Sequence, residues 1–141
     1  MDIKIRQLNI NDYEQYINLI KQLRRIDISI SNEKFIEIYN TIFKSNVIFV
    51  AEYENKLIAS ITLIIEQKFI HNLSKYIKIE DVIVDNNYKN KGIGKKLVAY
   101  AVQYSKDMGA FKITLTCKKH LIPFYSKNDF QVYDIHMSQL L

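Results

Sequence analysis

The sequence predicts an α/β domain in which a mixed central sheet is flanked by helices. Short apolar runs of strand character alternate with segments whose apolar residues recur at helical spacing, most regularly in the second half. Turn chemistry separates these segments, and neither a linker nor an internal repeat interrupts them. The composition agrees, because 141 residues with 48% hydrophobic and 25% charged content match one ordinary globular domain spanning 1–141. Only three Gly and one Pro exclude a collagen-like or low-complexity chain, and the apolar content suffices for a core.

The elements follow in order. Ile3, Ile5 and Leu8 alternate as a short strand. Asn9 or Asn11 caps the next helix, Asp12 and Glu14 suit its first turn, and Tyr13, Tyr16, Ile17, Ile20 and Leu23 form its apolar face. Ser31 or Asn32 caps a second helix carrying Phe35, Ile36, Ile38, Tyr39, Ile42 and Phe43. Val47 to Tyr53 is a continuous apolar run that reads as a buried strand. Glu54-Asn55-Lys56 turns the chain into a hairpin partner, Leu57 to Ile65. The polar stretch from about Gln67 to Lys75 reads as a loop, and Ile77 to Asp85 as another strand. After turn chemistry from Asp85 to Gly94, one helix carries Ile93, Leu97, Val98, Val102 and Tyr104, and Gly109 ends it. Phe111 to Cys117 is a strand, about Leu121 to Lys127 a short helix, and Phe130 to Met137 a final strand. The predicted order is β-α-α-β-β-β-α-β-α-β.

Composition also narrows function. Twenty Lys+Arg against fifteen Asp+Glu give a net charge of +5, mostly scattered Lys with clusters at Lys89 to Lys96 and Lys118-Lys119. A scattered excess reads as a solvated surface. Tyr and Phe recur at core spacings without an interleaved basic stripe, which argues against nucleic-acid recognition. No apolar run approaches the roughly 18 residues of a membrane span. Met1-Asp2-Ile3-Lys4 leads straight into structured sequence, so no signal peptide is expected and a cytoplasmic location is. The single Cys117 has no disulfide partner, fits a reducing compartment, and reads as a small core residue. His71, His120 and His136 lack Glu or Cys at ligand spacing, so no metal is expected.

The informative stretch is Val82 to Leu97: a strand, a basic glycine loop, then an amphipathic helix. Amides at a helix start have no internal partner, and the helix dipole adds positive potential there. Gly92 and Gly94 let a ligand approach that backbone, and Lys89, Lys91, Lys95 and Lys96 supply charge, which suits a pyrophosphate. A Walker A loop fails, since Lys89 stands at its first Gly and Lys96 at its Ser/Thr. A dinucleotide fingerprint is weak, since Leu97 stands at its third Gly.

Lys89-Asn90-Lys91-Gly92-Ile93-Gly94 resembles the pyrophosphate loop of the GNAT N-acetyltransferases, with Lys for the usual first Arg or Gln. Leu63 to His71, Ile79 to Val84, Phe111 to Cys117 and Pro123 to Lys127 look like segments of the eukaryotic glucosamine 6-phosphate N-acetyltransferases within that superfamily. The resemblance runs from about Ala59 to Phe130. It implies a GNAT fold and acetyl-CoA as cosubstrate. The implied reaction is direct attack of an amine on the thioester, giving N-acetylglucosamine 6-phosphate for UDP-N-acetylglucosamine synthesis. It also implies a homodimer whose last strand, near Val132 to Met137, contributes to the interface.

Residue by residue, the resemblance implies that backbone groups of Val82, Ile83 and Val84 hold the pantetheine arm. The loop Lys89, Asn90, Lys91, Gly92, Ile93, Gly94 and Lys95 takes the pyrophosphate, and Tyr125 protonates the leaving thiolate. Glu80 and Asp81 border the sugar and orient its ammonium; as neighbours on a strand they are expected to point to opposite faces. His71 shapes the acceptor loop or the dimer interface. Lys112 matches a basic residue associated with the substrate phosphate. Four positions depart. Thr116 replaces a carboxylate, Leu121 replaces an Asn, Arg24 replaces a Thr facing the acceptor, and an Arg is missing near Gln139-Leu140. These departures leave open the same chemistry on another amino sugar, a polyamine or an amino acid, and also a catalytically weak CoA-binding regulatory module.

Overall fold

The computed structural model describes residues 1–141. Strands β1 (Lys4–Gln7), β2 (Asn46–Tyr53), β3 (Lys56–Gln67) and β4 (Lys75–Val84) lie side by side and antiparallel. Strand β5 (Lys112–Leu115) closes the five-stranded sheet parallel to β4. Parallel neighbours need a long crossover, and here it is the 15-residue helix α4 (Ile93–Asp107). Helices α1 (Tyr13–Ile20) and α2 (Asn32–Ile42) precede β2, a single irregular turn α3 (Ile70–Leu73) joins β3 to β4, and α5 (Ile122–Ser126) follows β5.

Alternation along the buried strands divides the core between the two faces of the sheet. Val47, Phe49 and Ala51 of β2 join Ile61 and Leu63 of β3 under Leu97, Val98 and Ala101 of α4. Ile48 and Val50 point the other way, to Leu19 of α1 and Phe35 of α2. Both faces of β2 and β3 are therefore covered, which is why these strands read as unbroken apolar runs.

Local chemistry sets the element ends. Asn9 accepts from the Asn11 amide at 2.9 Å while Asp12 accepts from the Asn9 amide at 2.8 Å, a capping box ahead of α1. Ser31 caps α2 by accepting from the Lys34 amide at 3.1 Å. Glu54 and Asn55, with φ of 49° and 63°, make the two-residue turn of the β2–β3 hairpin. Gly109, at φ 72°, ends α4 as its amide reaches the Lys106 carbonyl and the Ala110 amide reaches Ser105, each at 3.0 Å.

Two expectations are corrected. The loop placed at Gln67 to Lys75 is shorter, because Gln67 and Lys75 pair in the ladder and extend the hairpin into solvent. The final strand at Phe130 to Met137 is absent: the sheet ends at β5 and no ladder forms beyond it. Val132, Ile135 and Met137 are 72%, 91% and 88% exposed, and a groove of about 640 Å³ separates this tail from β5. The apolar alternation is real, but within one chain it has no backbone partner.

Arg6 of β1 ties the capping box to the sheet, donating to Asp12 at 2.8 and 3.0 Å and to Glu52 of β2 at 2.9 Å. Burial pushes the Asp12 carboxyl up, but hydrogen bonds from Arg6 and the Asn9 amide, with the Arg6 charge, outweigh it and hold the group below its ordinary range. A depressed folded value means that Asp12 contributes stability above its unfolded value and loses it as pH falls. Asp12→Asn is therefore expected to lower stability at pH 7 and to flatten the loss of stability below about pH 4, measured by urea unfolding across pH.

Candidate active site

The site begins where β4 parts from β5. Pairing between β4 and β5 ends at Ile79 and Leu115. On the other edge Thr62 pairs with Glu80 and Ser60 with Ile83, so Asp81 and Val82 together oppose the single residue Ile61. This is a β-bulge, and Asp81 is its left-handed residue, at φ 49°. The extra residue inverts the parity of the strand. Ile77 and Ile79 face α4, and beyond the bulge Val82 and Val84 pack on that same side while Ile83 turns to the α1–α2 face. A regular strand would place 77, 79, 81 and 83 on one face. Strict alternation therefore stops at Asp81 and resumes, inverted, at Val82.

Around the bulge, on the α1 side, polar groups gather. Glu80 pairs with Lys78 at 3.0 Å. Asp81 is exposed, yet partial desolvation of its carboxyl, followed by the charge of Glu80, pushes it above its usual range, and Arg24, on the turn after α1, pulls it back in part. Tyr16 of α1 reaches the same place. Burial, with the Asp81 charge adding to it, pushes its phenol up to about 12, against the opposing influence of the Ser60 and Thr62 hydroxyls. Ser60 is fully buried with its hydroxyl unpartnered. Arg24, Glu80 and Asp81 are thus brought together. Tyr16, Ser60 and Thr62 were missed, since at sequence level they are indistinguishable from helix-face and strand-interior residues.

On the α4 side, Gly92 is the residue before the helix, at φ 78°, with open space where a Cβ would stand. Gly94 has another role. A Cβ there would lie 3.1 Å from Phe124 and 3.5 Å from Val84, so this glycine lets α4, α5 and the end of β4 meet. Lys89, Asn90, Lys91 and Lys95 are exposed around this helix start, while Ile93 is buried beneath it. Free amides, a dipole end and lysines form a ready anion cradle beside the unpaired edge of Val82 to Val84.

Tyr125 of α5 is 9% exposed, with Phe124 and Phe130 set edge-on at 4.8 and 6.1 Å. Burial, with Cys117 nearby, pushes its phenol up, so it stays protonated at neutral pH and can donate. Cys117 lies beyond the end of β5, not within a buried strand, and is half-buried. Thr116 is exposed there, 3.5 Å from His136 of the tail. Lys112 is not brought to Asp81. It opens β5 opposite Tyr76, with its ammonium 4.7 Å from that ring, beside a stack of His71 on Phe111 at 4.0 Å. His120 sits exposed on the turn before α5. No three His, Cys, Asp or Glu side chains cluster as a metal site, and no helix is long and apolar enough to cross a membrane.

A splayed parallel pair, a bulge, and a glycine-led helix start at the splay are features that comparison with known proteins can test. The profile of the acetyltransferase (GNAT) family matches residues 14–130. The chain belongs to the GNAT acetyltransferase family. Glucosamine 6-phosphate N-acetyltransferase 1 of Dictyostelium discoideum is 33% identical, over 96% of this chain and 89% of that protein. Glucosamine 6-phosphate N-acetyltransferase of Arabidopsis thaliana is 35% identical, over 96% of this chain and 95% of that protein. The crystal structure of the Arabidopsis enzyme superposes with a TM-score of 0.92, covering 99% of both chains. The mixed α/β sheet is thus the GNAT fold, and the protein is an acetyltransferase.

In this GNAT site the Asp81 carboxyl is held between two neighbours of opposite effect. Removing the repelling charge by Glu80→Gln is expected to lower its titration midpoint, and removing the attracting one by Arg24→Gln to raise it. Carbon-detected NMR titration of the Asp81 carboxyl checks both signs.

Proposed function

We propose that this protein transfers the acetyl group of acetyl-CoA to the amine of glucosamine 6-phosphate, releasing N-acetylglucosamine 6-phosphate and CoA. The observation that carries this reading is the near full-length similarity to two enzymes of that name, at 33% and 35% identity. The bulge with Glu80 and Asp81 at the splay supports it. Arg24, whose charge acts on Asp81, is the cation this reading assigns to the sugar phosphate within one chain. Lys112 stands at the far end of β5.

The chemistry follows from the groups present. Acetyl-CoA lies with its pyrophosphate on the Lys89–Lys95 loop and its pantetheine arm along Val82 to Val84, which brings the thioester to the bulge. Asp81 or Glu80 orients the sugar ammonium, and a carboxyl of raised pKa is the better proton acceptor. The free amine attacks the carbonyl carbon, and the C–S bond breaks as the tetrahedral intermediate collapses. The thiolate takes the phenolic proton of Tyr125, which is replaced from the proton the amine has released.

A homodimer completes this reading. Val132 and Tyr133 line the groove beside β5, and with Ile135, Met137, Leu140 and Leu141 further along the tail they are largely exposed. An apolar tail next to an unpaired strand edge is the surface that a second copy covers. Sedimentation velocity at micromolar protein is expected to give twice the chain mass, and a monomer there would contradict the assembly.

CoA release with glucosamine 6-phosphate is expected to exceed that with unphosphorylated glucosamine or a small-amine panel. Preference for another amine would make Arg24, Thr116 and the missing C-terminal Arg a change of acceptor. Tyr125→Phe is expected to lower kcat by about 10²-fold with little change in either KM, read by steady-state kinetics.

A further inference from the structure

Asp85 is the one charged side chain among the buried residues, and the catalytic reading makes no use of it. It ends β4, where the chain turns toward the Lys89–Lys95 loop, and its amide donates to the Ile58 carbonyl at 2.8 Å. One carboxylate oxygen accepts from the Asn87 amide at 2.9 Å. The other faces Lys56 Nζ at 3.5 Å and Gln22 Nε2 at 3.4 Å. Gln22 Oε1 in turn accepts from the Asn86 amide at 2.9 Å. Only one orientation of the Gln22 amide satisfies both contacts, since the flipped group would aim its carbonyl at a carboxylate and its NH₂ at an amide donor. Burial raises the Asp85 carboxyl, but the Asn87 amide, Gln22 and Lys56 outweigh it, and the group stays ionised.

The two ends of this clip belong to opposite sides of the site. Gln22 lies on the tight turn after α1, where the Gln22, Leu23 and Arg24 amides bond back to Leu19, Ile20 and Ile20 at 3.0, 2.9 and 3.2 Å. Arg24, two residues on, belongs to the same turn, with its guanidinium donating to the Leu23 carbonyl at 3.1 Å, and its charge acts on Asp81. Asp85 and Asn86 begin the short 3₁₀ turn that ends at Tyr88, immediately before the basic loop. We infer that Gln22 is a positioning residue that ties the acceptor-side turn to the cofactor loop through Asp85 and Asn86, so that CoA on the loop sets the placement of Arg24. The assignment of the two sides rests on the function proposed above. A covalently stiff turn pinned at one point transmits a shift of the loop to Arg24 without any change in the sheet.

The test uses the full chain. Gln22→Leu removes both contacts at nearly constant volume, and Gln22→Glu sets a carboxylate against Asp85. The paired exchange Gln22→Glu with Asp85→Asn swaps donor and acceptor and restores both bonds. The single variants are expected to raise the KM for glucosamine 6-phosphate about tenfold, with the acetyl-CoA KM within about twofold and the paired exchange recovering most of the loss. Amide hydrogen exchange provides a reading independent of the acceptor: saturating CoA is expected to slow exchange across residues 20–26 at least about fivefold in the wild type and not in Gln22→Leu. Equal slowing in both, or a paired exchange no better than the singles, overturns the inference, as does CoA binding without slowing in the wild type. A chain that shows the CoA-dependent slowing and its loss in Gln22→Leu, yet ignores glucosamine 6-phosphate, supports the coupling and sinks only the substrate assignment.

Discussion

The left-handed backbone at Asp81 is the constraint on which the rest of the site depends. One extra residue in β4, opposite Ile61, shifts the register against β3 and bends the strand just where its ladder with β5 stops. The same residue changes which side chains face each layer. Without it Val82 and Val84 would leave the α4 core. A non-glycine residue in this region is uncommon, and Asp is among the types that tolerate it best. The shifted register of β4 and the seating of Val82 and Val84 against α4 therefore have a single origin.

Everything else brings groups to that bend from two directions. Helix α4 arrives from one face with its amide-bearing start, seated closely because Gly94 leaves room for Phe124 and Val84. The turn after α1 arrives from the other with Arg24, while Tyr16 places a phenol against Ser60 and Thr62. The Gln22–Asp85 clip is the shortest polar connection between the two directions. A buried carboxylate is costly to leave unpartnered, so its contacts resist loosening. That resistance is what a site assembled from distant segments needs.

Much of the fold was legible because its causes are local. Continuous apolar runs marked β2 and β3 since both of their faces are covered. Asn9 and Ser31 marked helix starts, and Gly109 marked an end, because each satisfies backbone groups within a few residues of itself. The glycine loop was legible for the same reason. Less of the site was legible. Arg24, Glu80 and Asp81 were nominated by resemblance, whereas the contacts of Tyr16, Ser60, Gln22 and Asp85 were not legible, since no spacing rule links residues so far apart in the chain. The final strand failed for a related reason: alternation from Phe130 to Met137 states that one face is apolar, not which backbone will pair with it.

By itself, then, the chain's sequence determined the α/β class, the order of the buried elements, the glycine-led helix start and, by resemblance, the acetyltransferase family. These follow from periodicity, capping and loop composition, which act over a single turn or strand. Only the tertiary structure decided that β4 bulges at Asp81, that its carboxylates share a neighbourhood with Arg24, and that Lys112 stands apart from them. It also decided that one copy leaves its last apolar segment uncovered. Register, burial and charge pairing depend on which distant segments meet, and that is set only when both faces of the sheet close at once.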